Sequence, residues 1–271
     1  IFLIIVIIKE LSAFIGFHII IYLKSNCICK YLLLNNLYTN PVAAIVRELS
    51  TNAYDAHLLV NNTEPFHLQL PSKFDCNFIL RDFGPGLDDK EIDLYLNTLF
   101  SSNKSQTNNQ LGGFGLGSKS PFALVDSFNI ESYKNGFKYS GLWYKKEDGT
   151  PVLIVTDISQ TTEKNGLKFI VTCPINSVTN FKQSVASQLF NFPLKPKFFT
   201  DIEDSSTEYA FESFPKLLKD FGLGLKTYHT EGYNETYVSV GGVVYPYNIR
   251  STAYSEFKKY IQPDNSLVVL E

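Results

Sequence analysis

The stretch Leu37-Tyr-Thr-Asn-Pro41-Val-Ala-Ala-Ile-Val-Arg47-Glu48-Leu-Ser-Thr-Asn52-Ala-Tyr-Asp55-Ala-His57 decides the fold. Pro41 suits a first helical turn, where its missing N–H costs nothing, so the pattern predicts a helix from Pro41 to about Val60. At about 100° per residue, Glu48, Asn52 and Asp55 fall in one narrow stripe. Val42, Ile45, Val46, Leu49, Ala53, Ala56 and Val60 form an apolar stripe beside it. Arg47, Ser50, Tyr54 and His57 take the far side. A surface helix keeps its carboxylates in water; here acid, amide and acid edge the buried face and aim into a cleft. Asn52 with an acid one turn away suits Mg²⁺, which prefers oxygen ligands and keeps waters. A solvated stripe is the competing account, and this helix alone does not choose between them.

Two further motifs follow. Ile79-Leu-Arg-Asp82-Phe-Gly84-Pro-Gly86-Leu87 sets an Asp and two glycines at the end of an apolar strand. The glycines allow close backbone approach, and the Asp can accept from a ligand donor such as an exocyclic amine. A plain Gly-Pro turn capped by Asp reads the same residues without a ligand. Gly112-Gly113-Phe-Gly115-Leu-Gly117-Ser118-Lys119-Ser120-Pro-Phe-Ala123 is glycine-rich and runs towards a predicted helix at Ser118–Val125. Main-chain N–H groups at such an entry bind anions, and Lys119 adds charge. The P-loop spacing fails because Ser118 intervenes before Lys119, and the dinucleotide pattern G-x-G-x-x-G fails as well. A flexible linker is the alternative.

In this order, about thirty residues apart, the three motifs resemble the ATP-binding domain shared by DNA gyrase B, the large heat-shock chaperones, histidine kinases and MutL, the GHKL or Bergerat-fold superfamily. The closer resemblance is to the phage rIIA protein family, from near Lys30 to about residue 190 and more thinly through Gly241-Gly-Val-Val-Tyr-Pro246. The resemblance implies an Mg²⁺-dependent ATP hydrolase of slow turnover whose lid closes over the nucleotide. Glu48 matches the general base, Asn52 the Mg²⁺ ligand, and Asp55 a pocket acid acting through water. Asp82 matches the reader of the adenine amine, and Gly84 and Gly86 line the base. Residues 101–117 match the ATP lid, with Gly113, Gly115, Gly117 and Ser118 at the phosphates and Lys104 and Lys119 as further phosphate contacts. One departure is that the superfamily's Gly-Thr behind adenine corresponds to Asn165-Gly166-Leu167, without a hydroxyl.

The implied fold is α+β: a two-layer sandwich with helices on one face of a mixed, mostly antiparallel sheet, followed by part of a second α/β domain. The implied partners are ATP and another protein or a second subunit. The family's tie to phage development implies the host cytoplasm for a phage-encoded chain, and leaves association with the host membrane open. Two alternatives stand beside hydrolysis. One is an ATP-gated interaction protein with little or no turnover. The other is a histidine or protein kinase, disfavoured because none of His18, His57, His67 and His229 sits in a phosphoacceptor helix and because Glu48 suits hydrolysis.

Composition agrees with a folded domain. The chain has 271 residues, 44% hydrophobic and 19% charged, which excludes wholesale disorder. A net charge of −3 gives no pointer to nucleic acid. Lysine outnumbers arginine 21 to 3, a bias that AT-rich coding DNA produces. Cys27, Cys29, Cys76 and Cys173 are too few and too scattered for a disulfide scaffold or a zinc site.

Methionine is absent even at position 1, and the chain stops in a strand-like run, so it reads as a fragment. Residues 1–29 are apolar but interrupted by Lys9 and Glu10. They read as translated upstream sequence, a buried or interfacial segment, or a membrane anchor. The nucleotide domain is expected over 30–195 and a transducer-like second domain over 200–271. Within the first, strands are predicted at Phe66–Leu70, Asn77–Arg81, Ser127–Tyr133, Lys138–Tyr144, Val152–Asp157 and Leu167–Cys173. Helices are predicted at Asp88–Leu99 and Ser177–Phe190. In the second, a strand is predicted at Thr236–Tyr245 and a helix near Thr252–Ile261.

Overall fold

The computed structural model describes residues 40–96, 117–199, 214–222, 224–229, 235–240, 242–246 and 266–270. Helix α1 spans Pro41–Leu59. The Asn40 side chain caps it by accepting from Ala43 N at 3.0 Å, satisfying one of the N–H groups that a helix start leaves open. Seven strands form the main sheet: β1 His67–Gln69, β2 Asn77–Arg81, β3 Ser127–Lys134, β4 Phe137–Lys145, β5 Pro151–Gln160, β6 Gly166–Thr172 and β7 Lys197–Phe198. Their order is β5-β4-β3-β6-β2-β1-β7. Every pairing is antiparallel except β1 with β7. Gly136 and Gly149, both at positive φ, close the turns of the β3–β4–β5 meander.

Helix α2, Val178–Leu189, packs with α1 over the sheet. Ile45, Val46 and Leu49 of α1 share one core with Phe78 and Leu80 of β2, Trp143 of β4 and Phe181 and Val185 of α2. Phe78 stacks on Phe181 with ring centroids 4.8 Å apart. Apolar burial of this extent is the main term holding the layers together.

A second sheet contains β8 Lys216–Gly222, β9 Leu225–His229, β10 Glu235–Val240, β11 Val243–Pro246 and β12 Ser266–Leu270, in the order β11-β10-β12-β9-β8. It meets the chain just beyond α2: Phe190 packs edge-on against Tyr228 at 4.9 Å, and Val243 joins the main core.

Four local expectations change. The predicted strand Thr236–Tyr245 is a hairpin of β10 and β11, because the chain reverses between Val240 and Val243 with Gly242 at φ +84°. The predicted helix Ser118–Val125 is a 3₁₀ helix, Gly117–Ala123, with Pro121 inside it removing a donor. The predicted helix Asp88–Leu99 begins with a capping box between Asp88 and Glu91. It continues as the three-residue helix Asp89–Glu91 and a π-helical turn, Ile92–Leu96. The far side of α1 is not open either, since Ser50 and His57 are fully buried beneath later segments. Among the described residues no helix is long and apolar enough to cross a membrane. Residues 1–29 and the helix expected near Thr252–Ile261 lie outside them.

Candidate functional site

Helix α1 meets later segments at two places. Glu48 and Asn52 are half-buried and Asp55 is wholly buried. The first place is the end of the glycine-rich run. A Cβ built on Gly117 would stand 3.1 Å from Glu48 Oε2 and 3.2 Å from Asn52 Nδ2. Glycine is therefore the residue that lets this main chain lie against the acid and the amide. Glu48 Oε1 also lies 3.3 Å from Arg47 Nη2. The Arg47 guanidinium in turn reaches Gln188 of α2 and lies 5.0 Å from the ring centroid of Tyr245 on β11.

The second place is the turn after β2. A Cβ on Gly84 would fall 2.6 Å from the Ala56 Cβ, so α1 and the turn touch through glycine. Gly86 has φ +66°, and a Cβ there would lie 2.0 Å from Tyr133 O, so glycine is required on both counts. Asp82 follows Arg81, the last residue of an interior strand, and is almost completely buried. Its Oδ1 accepts from Gly84 N at 2.9 Å and Leu167 N at 3.1 Å. Both main-chain bonds land on Oδ1, and none among the described residues lands on Oδ2. Burial raises the pKa of this carboxyl to about 6, against the pull of those two N–H groups and of Arg81.

The wall beside Asp82 is built from main chain. Asp82 N donates to Leu167 O at 2.9 Å, closing a reciprocal link with the Leu167 N–H. A Cβ on Gly166 would lie 2.2 Å from Asp82 O, which explains the glycine of Asn165-Gly166-Leu167. The Arg81 guanidinium, sandwiched between Phe83 (4.9 Å) and Tyr133 (4.3 Å), donates to the carbonyls of Asp82 and Lys164. Arg81 thus clamps two main-chain carbonyls on the wall beside Asp82. Ser132 Oγ bonds both the N–H and the carbonyl of Leu87, fixing the exit from the turn.

Of the other expected residues, Ser118 is half-buried in the 3₁₀ turn. The Lys119 side chain is wholly buried, with the ammonium 5.2 Å from the Trp143 ring centroid. Burial lowers its pKa to about 7. Lys104, Gly113 and Gly115 lie outside the described residues.

No protein family and no curated protein matches this chain by sequence. Among solved structures, the chain is similar to the ATPase region of Saccharomyces cerevisiae topoisomerase II bound to ICRF-187 (dexrazoxane). The TM-score is 0.51 with 11% identity, over 84% of this chain and 72% of that one. The two share the Bergerat fold. At that identity the likeness is one of fold: an α+β sandwich with α1 on the sheet.

Arg81, His57 and Ser132 are absent from the residues that sequence reading selects, and Leu167 enters there only for lacking a hydroxyl. Arg81 carried a usable signal. In a chain with 21 lysines and 3 arginines, an arginine beside Asp82 marks a place where a planar fork does what an ammonium cannot. Leu167 acts through its main chain, which no side-chain motif reports.

Proposed function

We propose that this chain is the nucleotide-binding part of a GHKL ATPase of the phage rIIA type, which binds ATP with Mg²⁺ and hydrolyses it slowly. One observation carries the reading. Helix α1 touches the glycine-rich run through Glu48 and Asn52 at one end and the Asp82–Gly84 turn through Ala56 at the other. Along the helix, Glu48 lies about 12 Å and Asn52 about 6 Å from Ala56. A nucleotide with its base at Asp82 and its last phosphate at Glu48 spans the longer interval.

The residues fit the group they would hold. Asp82 Oδ2 is left to accept from the adenine amine, while Oδ1 is occupied by the main chain. Gly84 and Gly86 let the turn that lines the base lie close against α1 and β3. The amide oxygen of Asn52 suits Mg²⁺, which when bound offsets phosphate charge and polarises the γ-phosphoryl group. Glu48 is half-buried beside it and is the group able to take a proton from attacking water. Asp55, wholly buried, supports the pocket through water, and Gly117 with Ser118 lines the phosphate end. In this reading, residues 30–195 are the nucleotide domain and 200–271 begin a transducer-like domain. A further protein or a second subunit receives the conformational change.

A second reading draws on Arg47. Its guanidinium engages the Glu48 carboxylate and packs on Tyr245 of the second sheet, an arrangement suited to a protein whose ATP binding matters more than turnover. Calorimetric binding of a non-hydrolysable ATP analogue with Mg²⁺, beside Asp82→Asn, tests the pocket. Loss of binding in the variant alone supports it, and no binding by the folded wild type refutes it. Phosphate release by Glu48→Ala then separates hydrolysis from gating.

A further inference from the structure

His57 stands just past the Glu48–Ala56 motif and is wholly buried. Its Nδ1 lies 3.1 Å from the Glu64 carbonyl oxygen, and its Nε2 lies 2.7 Å from the Phe83 amide nitrogen. A carbonyl oxygen only accepts and an amide N–H only donates. The ring therefore donates from Nδ1 and accepts at Nε2, which defines one neutral tautomer. Burial favours the uncharged ring, with Arg81 of β2 and His67 of β1 acting in the same sense. Glu64, in the segment after α1, opposes them and is itself ion-paired with Lys164 at 3.2 Å.

Phe83 is the residue between Asp82 and Gly84. Its N–H is held by His57, and its carbonyl accepts from Asn62 Nδ2 at 3.2 Å. Asn62 N in turn donates to the His57 carbonyl at 2.9 Å. The end of α1 and the turn after it thus grip Phe83 on both of its peptide groups, one residue away from the carboxylate proposed to read adenine.

We propose that His57 is a positioning residue for nucleotide recognition: through Phe83 it sets the Asp82 carboxylate relative to α1, so that one helix fixes both the base end and the phosphate end of the pocket. The inference rests on the nucleotide reading above. It predicts an effect on affinity that depends on where the polar atom of residue 57 lies.

His57→Asn places an amide near Nδ1, able to reach Glu64 but too short for Phe83. His57→Gln places a carbonyl oxygen near Nε2, able to accept from Phe83. The test measures binding of a non-hydrolysable ATP analogue with Mg²⁺ at neutral pH to the full chain carrying each change, beside wild type and Asp82→Asn. Melting temperature, KM and kcat are read for each. Loss of one hydrogen bond should weaken binding by His57→Asn about tenfold, with KM raised and kcat kept, while His57→Gln stays within about threefold of wild type. Wild-type affinity in His57→Asn overturns the inference while leaving the nucleotide site standing. So does equal weakening of both variants in step with melting temperature. A folded wild type that binds no analogue overturns the nucleotide reading and this one together. Should either variant fail to fold, ring ¹⁵N spectra of the wild type decide: an Nδ1–H neutral ring is expected, and an Nε2–H or doubly protonated ring at neutral pH refutes it.

Discussion

Replacing Asp82 with asparagine should make the protein more stable and blind to ATP at the same time. The carboxyl is nearly inaccessible, and burial lifts its pKa from 3.8 to about 6. The folded state therefore takes up this proton before the unfolded state does. Its contribution to stability is fully present below 3.8 and is lost as pH rises through about 6. At neutral pH the ionised group costs the fold roughly 3 kcal/mol. Asparagine keeps an Oδ1 to accept from Gly84 N and Leu167 N but carries no charge. Asp82→Asn should thus gain up to about that amount at neutral pH, on the order of 5 °C or more in Tm. The advantage should shrink between about 6 and 3.8 and vanish below. Because His57 and the other titrating groups are common to both proteins, the difference isolates Asp82. Nucleotide affinity moves the other way. Asparagine presents an N–H where Oδ2 accepted, so donor faces donor, and binding should be lost at every pH. In the wild type, affinity should fall roughly tenfold from neutral pH to pH 5 as the carboxyl protonates. Denaturant titrations and calorimetry across that range check both limbs. A variant no more stable than wild type at neutral pH, or a gap that does not close on acidification, refutes the argument.

Four further outcomes follow from the same geometry. Glu48→Ala should lower kcat by about a hundredfold or more while leaving analogue affinity close to wild type, measured by phosphate release and calorimetry. Gly84→Ala drives a Cβ to 2.6 Å from that of Ala56. Overpacking of about 1–3 kcal/mol should shift the turn and weaken nucleotide binding about fivefold or more, with Tm lowered. Lys119→Met removes a buried ammonium whose pKa lies at about 7 against its usual 10.5, a penalty absent above 10.5 and growing as pH falls towards 7. The stability gap between variant and wild type should therefore change with pH between about 7 and 10.5 in denaturant melts, and a loss of analogue affinity in the variant would support Lys119 as a phosphate contact. Chelating Mg²⁺ with EDTA should weaken ATP binding about tenfold or more without changing binding of adenosine, since the ion acts at the phosphates.

The two layers and the polar stripe of α1 were legible because they are written in short-range pattern. Apolar residues recur at helical spacing from Val42 to Val60, and Phe78-Ile-Leu80 is an apolar run of strand length. The departures come from places where neighbours outweigh pattern. Ser50 and His57 read as the open side of α1, yet later segments cover them. Pro121 shortened one expected helix to a 3₁₀ turn, and the glycines at 241–242 hid a hairpin inside one apolar run.

By itself the amino-acid sequence determined which groups exist for the chemistry: an acid, an amide and an acid on one helix stripe, an aspartate at a strand end, and glycines where main chain must come close. Local periodicity and conformational freedom are enough to specify those. Only the tertiary structure decided what surrounds them. It set Gly117 against Glu48 and Asn52, brought Leu167 and Arg81 beside Asp82, buried Lys119 over Trp143, and turned His57 into the holder of Phe83. These pairings join residues far apart in the chain, and a buried group's charge depends on its enclosure, which no local stretch of sequence contains.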